Sequence, residues 1–144
     1  MKLEEIHDLW AADNETPVVQ FDLSINAVPL MHAKYLRIMS NERMLLRRME
    51  EDRKELVKLK YDYFRGVLSS EDLREHGWEP NRLSILKSDI PMHLDADKDI
   101  INMNLKIAVQ QEKVDVLDQI IRHISNRGYL IKTSLDWERF KVGN

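Results

Sequence analysis

"MHAKYLRIMSNERMLLRRMEEDRKELVKLKYDY", residues 31–63, decides how the chain is built. Met31, Tyr35, Ile38, Glu42, Leu45, Met49, Asp52, Leu56, Leu59 and Tyr63 recur at alternating intervals of four and three. That beat belongs to a helix that buries one continuous stripe. Glu42 and Asp52 interrupt its apolar character. The Ser40–Asn41 step predicts a division into two helices, with Asn41 capping the second. Gly66 is placed to end the stretch. Upstream, the helix is expected to start near Ser24 or Asn26. That puts Pro29 in the first turn, where its missing N–H costs nothing.

A second seam follows the same rule. Met103, Ile107, Gln110, Val114, Leu117, Ile121 and Ile124 are again spaced by four and three. Asp97 and Asp99 stand at its start, where carboxylates meet the positive end of the helix dipole. Gly128, after Arg127, reads as its stop. "YLIKTS" then reads as a short extended connector, with Thr133 or Ser134 capping a last helix that carries Trp137 and Phe140. Residues 3–10 predict a short N-terminal helix, ended by Asn14 and Pro17. Ser69 or Ser70 opens another short helix, closed by Gly77. These elements predict an all-α fold, with long amphipathic helices forming a helical hairpin and short extra helices beside it. We read residues 1–144 as a single domain. Its parts are a variable segment (1–24), a long helical region (25–66), an acidic connector (67–97) and a C-terminal helical region (98–144). Seams longer than a small monomer needs point to self-association.

The formal net charge of −3 hides an uneven distribution. Residues 23–65 carry ten cations and six acids; residues 66–100 carry four cations and eight acids. Residues 122–141 return to five cations and two acids. On an ideal helix, Arg43, Arg47, Lys54, Lys58, Tyr61 and Arg65 fall within an arc of roughly 60°, opposite the apolar seam. Such a face is either a solvated surface with local ion pairs or a track for a phosphate backbone, with an aromatic at hand for a base. Lys60 belongs to neither side. It lies roughly 160° around the helix from Lys58, so either the helix loosens there or the two lysines serve different surfaces.

Other chemistry finds little support. The four glycines are isolated, so no phosphate loop is present. The histidines form no metal-type pair. "DADKDI" (95–100) imitates the start of a calcium loop, but Ile100 replaces the turn glycine and Lys106 the bidentate glutamate. A helix start is the better reading. No enzyme activity, cofactor or metal is expected. Without cysteine, a signal-peptide pattern or a long apolar run, the chain is expected to be soluble and intracellular.

Three stretches carry a family resemblance. "LVKLKYDYFRG" (56–66) resembles the signature of the UvsY family of tailed-phage recombination mediators, in its Lys58-x-Lys60 pair, its Tyr63-Phe64 pair and Gly66. "LDADKDIINMNLKI" (94–107) and "ISNRGYLIKTSLDWERFKVGN" (124–144) are similar to two further family segments, in the same order. The resemblance implies a non-enzymatic protein of the host cytoplasm, encoded by a phage and acting in recombination, recombination-dependent replication and repair. It implies binding to single-stranded DNA without sequence preference and assembly into a hexameric or heptameric ring. Its other implied partners are a RecA-like recombinase of the UvsX type and the phage single-strand DNA-binding protein. Lys58 and Lys60 would contact DNA, joined by Lys54, Tyr61, Arg65, Arg47 and Arg43 of the basic face. Self-assembly would use the C-terminal region, with Met103, Ile107, Val114, Leu117, Ile121, Trp137 and Phe140. The alternative is a helical scaffold that oligomerises and binds proteins without DNA.

Overall fold

A computed structural model of the chain describes residues 1–15, 21–81 and 83–143. Every regular element among them is helical: α1 (Leu3–Asp13), α2 (Phe21–Arg65), α3 (Ser70–His76), a 3-10 turn (Lys87–Asp89), α4 (Ile90–Asp95) and α5 (Lys98–Lys141). The all-α expectation holds. Two long helices dominate, with 45 residues in α2 and 44 in α5.

Both long helices run through points where the sequence predicts a break. Helix α2 starts at Phe21, earlier than expected, so Pro29 lies in its third turn rather than its first. Pro29 is exposed, where a carbonyl left without its N–H can face water. The expected turn at Ser40–Asn41 does not form. Met39 and Glu42 are buried on either side of it, and this packing outweighs the weak local preference of Ser and Asn. Gly128 does not stop α5, and residues 129–134 are helical rather than extended. Ile124, Arg127 and Ile131 are all buried across this span, so one stripe continues through it. Thr133 therefore caps nothing; its hydroxyl donates to the Tyr129 carbonyl one turn back. Pro17 lies outside the described residues.

The predicted ends that do hold have local causes. Gly66 takes φ 74°, a left-handed conformation that suits glycine, and its N–H donates to the Tyr63 carbonyl. The Ser69 hydroxyl accepts from the Asp72 N–H at the start of α3, and Gly77 closes that helix. The Asp97 carboxylate accepts from the N–H groups of Asp99 and Ile100, both at 3.1 Å, in the first turn of α5.

The chain divides into two compact units. The first comprises Met1–Leu45 and Val109–Asn144. Its core gathers Ile6 from α1, Tyr35 and Met39 from α2, and Leu117, Ile120 and Ile124 from α5. Trp10 stands edge-on to both Tyr35 and His123. Glu42, an acidic position in the first seam, is buried; Gln110 donates to its carboxylate at 2.6 Å and to its backbone carbonyl at 2.9 Å. The seam has also rotated slightly. Leu46 is buried where Leu45 was expected, as a period of 3.6 residues per turn drifts against a strict seven-residue repeat. The second unit, Leu46–Ala108, holds the end of α2, the short helices and the start of α5, with Ile90 and Ile100 buried.

The Tyr35 hydroxyl donates to Asp13 Oδ2 at 2.9 Å, and Lys34 Nζ lies 2.6 Å from the same oxygen. Burial pushes the Asp13 carboxyl up, but the two hydrogen bonds and the Lys34 charge outweigh it and hold the carboxyl below its ordinary 3.8. Burial, and then the bond to Asp13, push the Tyr35 phenol well above its usual range.

Two outcomes follow. Gly128 has no positive φ, and a Cβ there would meet nothing within 4 Å. Gly128→Ala should therefore stabilise the protein by about 0.5–1 kcal/mol in denaturant melts; a left-handed helix stop would make it destabilising. The second concerns pH. With Asp13 below its unfolded pKa, the unfolded chain binds the proton more readily, so this contribution is present above pH 3.8 and fades as pH falls through the native value. Asp13→Asn should lower the Tm at pH 7, and its deficit against the wild type should shrink as the pH of the melt falls below 3.8 and through the lower native value.

Candidate nucleic-acid interface

Within the second unit, the last turns of α2 present the cation-and-aromatic face predicted from helical spacing. Lys54, Lys58 and Arg65 are exposed, and Tyr61 is half-buried between the last two. The Lys58 side chain is 80% exposed and pairs with Asp62 at 3.0 Å. Arg65 reaches the same carboxylate at 3.8 Å, and its guanidinium lies 5.5 Å from the centre of the Tyr61 ring. Lys54 pairs with Glu51 at 2.8 Å. The hydrogen bond to Glu51, then its charge, with a further contribution from Glu50, raises the Lys54 ammonium above its ordinary 10.5. Exposed pairs of this kind contribute little stability, so each cation can exchange its surface carboxylate for a phosphate. Arg47 is exposed on the same helix, and no described carboxylate pairs with it. Arg43 is likewise exposed and without such a partner, on the part of α2 that belongs to the first unit.

Lys60 is placed quite differently. Helix α2 is unbroken through Arg65, so Lys58 and Lys60 point to different sides. Lys60 is only 5% exposed. Its Nζ lies 2.7 Å from Asp99 Oδ2, 3.1 Å from Asp97 Oδ1 and 4.0 Å from the centre of the Trp78 ring. The "DADKDI" carboxylates that imitate a calcium loop thus hold an ammonium instead. No described cluster of His, Asp and Glu is arranged to hold a metal ion.

Other partners of this region were invisible in the sequence. Trp78 packs against Tyr63 and stacks on His76. The Tyr63 hydroxyl donates to the Glu79 carbonyl at 2.8 Å, and the Asn81 amide donates to the Phe64 carbonyl at 3.1 Å. Asn81 of the "WEPN" segment therefore satisfies the Phe64 carbonyl, which the end of α2 leaves free. Trp, Pro and Asn around a turn were the only available hint, and they do not name a partner.

The residues expected to serve self-assembly fall into two groups. Val114 and Leu117 are buried in the first unit, and Ile121 is half-buried there; Met103 and Ile107 are half-buried in the second. Trp137 and Phe140 stack on one another near the end of α5 and remain exposed.

The chain is an all-α protein built on two long helices, and α2 presents a cation-rich, aromatic-bearing face of the kind a phosphate backbone can meet. The comparisons specify the family. Residues 9–144 match the family described as recombination, repair and ssDNA binding protein UvsY. The chain belongs to the UvsY family. The recombination protein uvsY of Enterobacteria phage T4 is 23% identical over 145 residues, covering 99% of each chain. The fold is similar to that of the bacteriophage T4 recombination mediator protein UvsY in two crystal lattices. Lattice type IV gives a TM-score of 0.83 at 20% identity, covering 97% of this chain and 99% of that one. Lattice type II gives 0.82 at 22% identity, covering 99% of each.

Proposed function

We propose that this protein is a recombination mediator that binds single-stranded DNA without sequence preference and promotes loading of a phage RecA-like recombinase onto strands coated by single-strand DNA-binding protein. The observation that carries the reading is the match of nearly the whole chain to a family described as single-stranded-DNA-binding. The exposed face of α2 supports it: Lys58, Lys54, Arg65 and Arg47 are phosphate-contacting groups, and Tyr61 is a stacking surface. None of these groups reads a base edge in a fixed geometry, which suits a mediator indifferent to sequence.

A single subunit with a net charge of −3 would hold DNA weakly. A closed ring of six or seven copies repeats the face, and linked weak contacts add through effective concentration. The assembly surface in this reading is the end of α5, where Trp137 and Phe140 are joined by exposed Tyr129, Leu130 and Val142. An exposed aromatic and aliphatic stretch of this kind favours a protein contact. Met103, Ile107 and Ile121 remain in the proposed assembly set as half-buried side chains, and Val114 and Leu117 support it from beneath.

Fluorescence anisotropy with unrelated oligonucleotide sequences tests the binding. Affinities should be alike across sequences and fall with salt by roughly 0.7 log units per decade for each phosphate neutralised. Lys58→Ala should flatten that slope by about 0.7 without lowering the Tm, and Asp62→Asn, which releases Lys58 and Arg65, should tighten binding. No measurable binding at moderate salt would favour the scaffold alternative. For assembly, Phe140→Asp should lower the native mass while circular dichroism keeps its helical signal. A wild-type mass in that variant would remove the end of α5 from the interface.

A further inference from the structure

We propose that Lys60 supports DNA binding without touching DNA. Its ammonium pins the first turn of α5 and the Trp78 segment to the end of α2, and so keeps the DNA-facing turns of α2 in shape. The proposal rests on the reading that this face binds single-stranded DNA.

The geometry leaves little room for a direct contact. Lys60 is 5% exposed, with Asp97 on one side, Asp99 on another and the Trp78 ring 4.0 Å away. Two carboxylates surround one ammonium, so the local charge is net negative and would repel a phosphate. Asp97 is itself committed, since it accepts from two backbone N–H groups at the start of α5. A buried ammonium with such partners is a structural tie, and losing the ammonium leaves two carboxylates uncompensated.

What the tie holds is the pair of turns that carries Lys58, Tyr61 and Arg65. Those turns end in the free Phe64 carbonyl, which Asn81 covers, while the Tyr63 hydroxyl anchors the Trp78–Asn81 segment at the Glu79 carbonyl. Lys60 lies under the same segment through Trp78 and joins it to α5. Without the ammonium, Asp97 and Asp99 repel each other, Trp78 loses the cation beneath its face, and the end of α2 frays.

Direct contact and positioning predict opposite signs. If Lys60 held a phosphate, removing a competing carboxylate would free it, so Asp99→Ala would bind oligonucleotides more tightly with a steeper salt slope. As a pin, Asp99→Ala should lose affinity, by up to about tenfold, with the slope unchanged and the Tm lowered. Lys60→Met should do the same, in contrast to Lys58→Ala, which flattens the slope and keeps its Tm. Amide hydrogen exchange at residues 61–65 should quicken in Lys60→Met while residues 110–124 keep their protection. Lys60→Arg, which retains the charge, should recover most of the affinity. A flattened slope in Lys60→Met, or tighter binding in Asp99→Ala, would overturn the proposal. If Lys60→Met does not fold, Asp99→Ala decides, because Asp99 is half exposed and its loss is milder. If the wild type binds no oligonucleotide, the DNA-binding reading fails on its own. The pin is then judged by Tm and hydrogen exchange, and wild-type values in both variants would overturn it.

Discussion

Glu42, Lys60, Gln110 and Arg127 are buried, and each can stay so only with a partner. Gln110 donates twice to Glu42. Lys60 meets two carboxylates. Arg127 reaches the Met31 sulfur at 3.7 Å. Apolar seams tolerate a slip of register, because one leucine replaces another at modest cost. Directional bonds to a buried carboxylate do not. These pairs therefore fix how α2 meets α5, in the first unit through Glu42 and Gln110 and in the second through Lys60. No buried side-chain nitrogen or oxygen among the described residues is left without a hydrogen-bond partner.

The same accounting separates two kinds of cation on α2. Lys54, Lys58 and Arg65 pair with carboxylates on their own helix, in water, where the pairs are loose and exchangeable. Lys60 is itself buried and pairs with carboxylates distant in sequence, so exchanging them is costly. Two lysines separated by one residue thus have unlike chemistry. A motif that names both as DNA contacts describes the sequence correctly and leaves open how each one acts.

In the proposed function, assembly and binding draw on different parts of the chain. The apolar residues at the end of α5 are exposed, whereas Val114 and Leu117, from the same seam pattern, are already covered within their own unit. Heptad spacing does not distinguish a stripe that packs inside a chain from one that packs between chains. Burial does.

By itself the sequence determined the helical class, the two seams, the stops at Gly66 and Gly77, a cap at Ser69 or Ser70, and the exposed basic face of α2. Each of these depends on residues within a few turns of one another, and the 3.6-residue period makes such neighbours readable. The breaks expected at Ser40–Asn41 and Gly128 failed because local preferences of about 1 kcal/mol or less yield to stripes buried on both sides of them. Pro29 was tolerated for a different reason, its outward position. The fate of Lys60 was beyond local reading altogether. Trp78, Asp97 and Asp99 come to it from 18 to 39 residues away. Only the folded chain brings two carboxylates and an indole around one ammonium, because that needs three segments far apart in sequence to pack together.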